Sequence, residues 1–132
     1  MVSGRNVIAA LALALVTAGS AGARADQFDQ CSLGGKYPVR TVAAYTTTED
    51  LGYTTYARFQ GADVFVPAQP GLTQEWLQRV VSSQIAAGAC NFGVPDVKVS
   101  VLSAGGGFSV RLSGHDRKDA GVILQHAQLL TR

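Results

Sequence analysis

Apolar and polar residues alternate most regularly towards the carboxyl-terminal end of the chain. Residues 97–101 read V-K-V-S-V and residues 108–113 read F-S-V-R-L-S, so every second side chain is apolar. Three glycines, Gly105, Gly106 and Gly107, stand between the two runs. Two strands of this period around a glycine-rich connection predict an antiparallel hairpin with one buried face. We expect the glycines to supply the positive φ angles of its turn.

A helical period precedes this hairpin. Leu77, Val81 and Ile85 recur at every fourth position, which places them on one side of a helix. Thr73 is the expected N-cap, and Gly88 is the expected left-handed stop. The polar residues of the segment are expected to face water, namely Gln78, Arg79, Ser82 and Ser83.

A second helix is predicted after the hairpin, with Asp116 as its N-cap. Its apolar stripe comprises Ala120, Ile123, Leu124, Ala127 and Leu130. The two helices and the hairpin each have one apolar face, and packing both helices on one side of an antiparallel sheet buries all three faces. The predicted fold class is therefore α+β, a two-layer sandwich with two helices packed on one face of an antiparallel sheet.

Strand-forming residues also dominate residues 39–68. The β-branched and aromatic run at 39–48 is followed by the sequence T-E-D-L-G, which predicts a turn. The pair Gly61-Ala62 predicts a further tight connection before the run D-V-F-V-P-A. Aromatic residues of this region are assigned to the core, with a ligand-binding groove as the alternative: Tyr45, Tyr53, Tyr56 and Phe59.

The amino-terminal residues have the pattern of a secretory signal peptide. Arg5 precedes an apolar run at residues 7–16, and A-R-A at 23–25 forms a small-x-small cleavage site. The apolar run is shorter than the roughly 18 residues that a membrane-spanning helix needs. We expect residues 1–25 to be removed, leaving residues 26–132 as one small periplasmic or secreted domain with no transmembrane segment.

The charge of this expected mature chain is balanced. Cleavage removes two of the 11 Lys and Arg residues, Arg5 and Arg24, so nine cations face 9 Asp and Glu. Binding to nucleic acid needs cations clustered on one face. The balance therefore argues against a nucleic-acid partner.

The chain contains 2 cysteines, Cys31 and Cys90. In an oxidising compartment an even pair of cysteines most simply forms one disulfide. A C-x-x-C motif, which redox-active pairs usually have, is absent from the sequence. We therefore predict a structural disulfide that closes a loop of about 60 residues, which the chain-entropy model values at about 4 kcal/mol. Two independent thiols are the alternative.

The residues with reactive side chains do not form a convincing catalytic or metal site. A phosphate-binding loop leads from a strand into a helix, whereas the three glycines join strand to strand. Ser113, His115 and Asp116 are residue types of a hydrolytic triad, but strand neighbours point to alternate faces and Asp116 is needed as a cap. His126 lies about 15 Å along the helix from its start, too far to share a metal ion with His115. We predict no catalytic residues, no metal and no cofactor.

The polar side of the predicted hairpin carries two cations, Lys98 and Arg111, among serines. A face of this kind is usually only solvated, but it is also the best candidate for a binding surface in this sequence. We predict that Lys98, Arg111 and the turn formed by Gly105, Gly106 and Gly107 contact the partner.

Residues 73–130 resemble a BON domain, a small α/β module of exported bacterial envelope proteins. The resemblance rests on an apolar strand, a glycine turn, the pattern G-F-x-V-x-L-x-G at 107–114, and flanking helices. It implies binding to envelope lipids or to partner proteins, without chemistry. The expected function is a non-enzymatic periplasmic or exported binding domain whose partner is an envelope protein or a lipid or glycan component. The alternatives are a small metal or ligand carrier using His115, His126 or the tyrosines and, less favoured, a small hydrolase.

Overall fold

A computed structural model describes residues 28–131 of the chain. Its elements are β1 (Thr41–Asp50), β2 (Thr55–Pro67), α1 (Gln74–Ala86), β3 (Lys98–Ala104), β4 (Gly107–Ser113) and α2 (Arg117–Ala127), with a final 3-10 helix at Gln128–Thr131. The four strands form one antiparallel sheet in the order β1-β2-β4-β3. None of the helices in this part of the chain is long and apolar enough to cross a bilayer. The predicted signal peptide and its cleavage site lie outside the described residues.

One face of the sheet carries the apolar core. Alternate residues of the strands point to this face, because side chains alternate along a strand. They pack against α1 and α2 in one cluster, whose most buried members include Val64, Val66, Leu77, Val81, Val110, Leu112 and Ile123. Burial of each such side chain contributes about 1.5–3 kcal/mol. The predicted α+β fold with its helices against one antiparallel sheet is confirmed.

The predicted ends of the helices are also confirmed. Thr73 caps α1, where its side chain accepts a hydrogen bond from the Trp76 N–H at 3.2 Å, and Gly88 follows that helix with a φ of 82°. Asp116 caps α2, where its carboxylate accepts a hydrogen bond from the Asp119 N–H at 2.8 Å. Local sequence therefore decides where each helix begins.

The prediction that Gln78 faces water is wrong. Its side-chain nitrogen donates to the Val99 carbonyl at 2.8 Å, and its side-chain oxygen accepts from the Val101 N–H at 2.7 Å. Gln74, one turn earlier, donates to the Val101 carbonyl at 2.8 Å. A primary amide offers a donor and an acceptor side by side, so it matches the open edge of a strand. These two glutamines attach α1 to the outer edge of β3.

The predicted tight connection at Gly61-Ala62 is wrong, because β2 runs unbroken through both residues. The register between β1 and β2 shifts by one residue after Tyr45, which leaves Gln60 as an extra residue in β2. A Cβ atom on Gly61 would lie 2.0 Å from the carbonyl oxygen of Leu112. The glycine therefore permits the close approach of β4 rather than a turn.

The β3–β4 hairpin is confirmed, with Gly105 and Gly106 between the strands and Gly107 as the first residue of β4. Gly106 has a positive φ of 81°, but Gly105 and Gly107 do not, so the predicted turn conformation is wrong for those two glycines. A Cβ atom on Gly107 would lie 2.2 Å from the carbonyl oxygen of Val66. Contact with β2 explains this third glycine.

The predicted disulfide is confirmed. Cys31 and Cys90 are joined with an S–S distance of 2.01 Å, and both side chains are buried. The bond connects the segment before β1 to the loop after α1. The rings of Phe28 and Phe92 join the same two segments, with their centroids 5.5 Å apart. The amino-terminal segment is thus fixed to the helical layer.

Candidate binding surface

The other face of the sheet, called the outer face below, is the side away from the core and the two helices. Its members follow from the register, since paired residues on neighbouring strands point to the same face. They are Thr41, Ala43, Tyr45, Asp63, Phe65, Lys98, Ser100, Leu102, Ser109, Arg111 and Ser113. All of these residues are exposed or half-buried. The outer face is therefore a wide surface of polar and aromatic side chains.

Arg111 lies at the centre of the outer face and is held by neighbours on other strands. Its Nε atom is 3.9 Å from a carboxylate oxygen of Asp63, and its guanidinium lies 5.0 Å from the ring centroid of Tyr45. Ser109 donates a hydrogen bond to the same carboxylate. The Arg111 Nε is nevertheless buried without a hydrogen-bond acceptor in the described part of the chain. Sequence reasoning missed Asp63, although a lone acid within the apolar run D-V-F-V was a usable signal.

The structure separates the predicted contact residues into two groups. Lys98 lies opposite Ser113 and diagonal to Arg111, so these two cations share one region of the outer face. Lys98 is exposed and forms no ion pair with any residue in the described range. The glycine turn lies at the far end of β3, about 20 Å from Lys98 at the usual rise per residue. One small ligand therefore does not reach both groups.

The end of the β1–β2 hairpin projects beyond the sheet. Strand β4 pairs with β2 between Gly61 and Pro67, and the Gly114 N–H adds one hydrogen bond to the Gln60 carbonyl at 3.0 Å, so residues 46–50 and 55–59 have only each other as strand partners. We call residues 46–60 the arm. A two-stranded ribbon of this kind is marginally stable in water without further packing. The arm thus lacks the third strand that supports β2 between Gly61 and Pro67.

The tip of the arm exposes apolar side chains. Tyr53 is 88% exposed, Leu51 45% and Tyr56 44%. The assignment of the tyrosines to the core is therefore wrong for Tyr53 and Tyr56, while Tyr45 is half-buried on the outer face. Large apolar residues grouped at an exposed tip are typical of interaction sites. The sequence signal for this tip was the pair of large residues around Gly52 in the predicted turn.

A polar cluster on the arm continues the outer face towards the tip. The Tyr56 hydroxyl donates to a carboxylate oxygen of Glu49 at 2.7 Å, and Arg58 lies 3.3 Å from the same oxygen. The Tyr56 hydrogen bond is the main reason why the pKa of Glu49 lies below its ordinary value, with Arg58 adding to the effect. The same hydrogen bond raises the pKa of Tyr56. Gln60 extends the cluster by donating to Thr47 at 3.1 Å.

An open pocket of about 490 Å³ lies between the arm and the start of α2. Its lining includes Tyr56, Arg58 and Phe59 from the arm, and His115 and Arg117 from the other side. The basic side chains outnumber the acidic ones in this lining, where the one acid is the N-cap of α2. The arrangement could receive a small ligand that combines an apolar part with a negative charge.

The described residues bring together neither the three residues considered for a hydrolytic triad nor a metal-binding cluster. No hydrogen bond joins Ser113 to His115, and Asp116 is engaged as the cap of α2. Between residues 28 and 131, no three His, Cys, Asp or Glu residues lie close enough together to hold a metal ion. His115 is exposed, and His126 is half-buried on α2.

Comparison with known proteins adds no assignment. No family model, curated protein or solved structure matches the chain. The resemblance of residues 73–130 to a BON domain therefore stays a prediction from the sequence.

Proposed function

We propose that the protein is a non-enzymatic binding domain, exported to the periplasm or beyond, that attaches to a partner protein of the bacterial envelope. The observation that carries the proposal is the continuity of the outer face with the arm. Together they offer a broad polar surface that ends in the exposed side chains of Leu51, Tyr53 and Tyr56. Apolar anchors beside fixed polar groups are the usual composition of protein interfaces.

Export is supported by two independent features. The sequence of residues 1–25 has the pattern of a cleaved signal peptide. The disulfide between Cys31 and Cys90 belongs to the chemistry of oxidising compartments. A binding role for the domain also agrees with what the resemblance to BON domains implies.

The test is affinity capture of the partner with variants of the two surface regions. Protein comprising residues 26–132 is immobilised, incubated with envelope extract and crosslinked mildly before mass spectrometry. We expect one saturable partner, whose recovery falls at least about tenfold when Tyr53→Ser removes an apolar anchor of the tip. Lys98→Ala is expected to weaken capture less and in a salt-dependent manner, because an exposed charge mainly affects association rates.

A matched control comes from the opposite layer. Arg79 is an exposed cation on α1, so Arg79→Ala removes the same charge as Lys98→Ala from a surface outside the proposed interface. Capture that is unchanged by Tyr53→Ser and Lys98→Ala, or is reduced equally by Arg79→Ala, contradicts the proposed surface. Retention of lipid or glycan in place of a protein contradicts the partner class.

The pocket of about 490 Å³ favours a second candidate function, a small-ligand carrier. Arg58, Arg117 and His115 make a negatively charged ligand the best match for the pocket, with Tyr56 and Phe59 contacting its apolar part. Calorimetric titration with small aromatic carboxylates tests this candidate. Heat that saturates in the wild type and is lost in Arg117→Ala supports it, whereas a flat titration of the wild type excludes these ligands.

A further inference from the structure

The two edge strands of the sheet, β3 and β1, differ in whether side chains from a helix bond to their outward main-chain groups. At the β3 edge, Gln78 and Gln74 of α1 occupy the outward N–H of Val101 and the outward carbonyl groups of Val99 and Val101. An edge covered in this way is closed to pairing with another strand. The β1 edge has no equivalent cover in the described part of the chain, where neither the side chains of α1 nor the main chain of the nearby 3-10 helix bonds to its main chain.

The direction of the open groups on β1 follows from the hairpin. The Leu51 N–H bonds to the Thr54 carbonyl on the β2 side at 2.9 Å. Hydrogen-bonding direction alternates along a regular strand, and the extra residue of the bulge belongs to β2. The even-numbered residues of β1 therefore direct their N–H and C=O groups away from the sheet: Val42, Ala44, Thr46, Thr48 and Asp50.

The sequence of this edge lacks the usual protection against pairing. Lysine and proline, which natural edge strands use for that purpose, are absent from β1. Its residues between Thr41 and Thr48 are uncharged and mostly β-branched or aromatic. Charges stand only at the two ends, with Arg40 before the strand and Glu49 and Asp50 at its close. The edge is thus complementary in charge to an antiparallel copy of itself.

We propose that β1 pairs with β1 of a second copy of this chain, antiparallel and centred on Tyr45. Outward hydrogen bonds require even-numbered residues to face even-numbered residues. Centring on Tyr45 meets this condition, places Val42 opposite the partner's Thr48, and brings Arg40 opposite the partner's Asp50 at both ends. Centring one residue earlier or later loses that charge match, because Arg40 then faces Thr48 or Gly52.

The pairing joins two four-stranded sheets into one of eight strands with a two-fold axis at Tyr45. The two outer faces become one continuous surface, and residues 46–50 of each arm lie beside residues 40–44 of the other copy, so that the two arms point in opposite directions. This inference concerns assembly and does not depend on which partner the outer face binds. Its failure is therefore distinguishable from failure of the proposed function.

Cysteine crosslinking tests the register directly. In the proposed pairing the two copies of residue 45 form a non-hydrogen-bonded pair, whose Cα atoms are about 4.5 Å apart and within reach of a disulfide. Tyr45→Cys is expected to convert most of the purified protein to a covalent dimer on air oxidation. Ala43→Cys is the matched control, since its partner position is Thr47 and the two copies of residue 43 are about 13 Å apart. The native disulfide is buried and is not expected to exchange.

Disruption of the edge provides the second measurement. Thr46→Pro removes an outward N–H on each copy, and edge positions of this kind tolerate proline within the monomer fold. We expect the wild type to double in mass with rising concentration in light scattering, and Thr46→Pro to weaken the dimer by about 30-fold. Thr46→Val keeps the N–H and should dimerise like the wild type.

Four results would overturn the proposal. The first is a wild type that remains monomeric at every concentration. The second is equal crosslinking of Ala43→Cys and Tyr45→Cys, which refutes the register. The third is dimerisation of Thr46→Pro with wild-type affinity while circular dichroism shows an intact fold. Capture of a foreign peptide on β1 by a monomeric protein would also replace the second copy as the occupant.

Discussion

The order of the arm is expected to depend on pH, because the carboxylate of Glu49 accepts hydrogen bonds from both Tyr56 and Arg58. The pKa of Glu49 lies below its ordinary value of 4.5, so its contribution is present above that value and is lost as the pH falls through the lowered pKa. The pKa of Tyr56 lies above 10.0, so the same hydrogen bond persists below that pH and is lost as the pH rises through the raised pKa. We expect the arm to be best ordered between these limits. In Glu49→Gln, the pKa of Tyr56 measured by NMR should fall towards its ordinary value, and an unchanged pKa would contradict the assignment.

Gln78 supports a second testable prediction on the scale of one side chain. Gln78→Ala removes two hydrogen bonds to the main chain of β3 and leaves the Val101 N–H and the Val99 carbonyl without those partners. Since each net hydrogen bond contributes about 1 kcal/mol, the free energy of unfolding should fall by about 2 kcal/mol. Urea denaturation measures this change. The neighbouring Arg79→Ala is the control and should alter stability by less than about 0.5 kcal/mol. Equal effects of the two substitutions would show that the amide contributes nothing to the edge.

At the scale of elements, the three glycines of the β3–β4 hairpin are expected to respond differently to alanine. Gly105 has open space around it, so Gly105→Ala should be nearly neutral. Gly106 has a φ of 81°, so Gly106→Ala should cost about 1–2 kcal/mol through backbone strain. At Gly107 a Cβ atom would overlap the Val66 carbonyl, so Gly107→Ala should be the most destabilising of the three. The order is measured by urea denaturation, and an equal loss at all three positions would contradict it. Because Gly105→Ala should leave stability nearly unchanged, weaker partner binding by this variant would indicate that the turn contacts the partner.

The elements that the sequence predicted well are those controlled by local chemistry. Thr73 and Asp116 predict where the two helices start, because a side-chain oxygen at the N-cap accepts a hydrogen bond from a free N–H group of the first turn. The β3–β4 hairpin follows from strict alternation around glycines. Gly61 was misassigned because a glycine required by close approach to another strand has the same local signal as a glycine in a turn. Only the tertiary partner, Leu112, distinguishes the two cases.

The candidate surface was less predictable, since it depends on contacts between distant segments. Lys98 and Arg111 could be placed on one face from their spacing alone. Asp63, which holds Arg111, comes from another strand, and its register could not be derived from the hairpin. The exposure of Tyr53 depends on the β1–β2 hairpin being longer than β4, a relation that local propensity does not contain. Both the arm and the open β1 edge therefore follow from the order and the lengths of the strands in the sheet, which local sequence does not specify.

At the scale of the whole molecule, the disulfide connects the amino-terminal segment to the helical layer, and its removal should destabilise the entire domain. Cys31 and Cys90 are 59 residues apart in sequence, and closing a loop of that length is valued at about 4 kcal/mol in the chain-entropy model. We expect the double variant Cys31→Ala and Cys90→Ala to lose most of this amount in urea denaturation. Alanine avoids placing a new hydroxyl group among the buried residues there.

Two explanations of this loss of stability can be distinguished by experiment: restriction of the unfolded chain, and local fixing of the amino-terminal segment. If the bond acts mainly by restricting the unfolded chain, the free energy of unfolding of the reduced wild type should be close to that of the double alanine variant. The only difference expected is the small packing contribution of the two sulfur atoms. Its native contacts, including the ring pair Phe28 and Phe92, should remain visible by NMR at low urea concentration. If reduction instead releases only the segment before β1, that segment should lose amide protection while the sheet and both helices keep theirs. The second result would show that the disulfide fixes the amino-terminal segment locally and that the four strands and two helices form the independently stable unit.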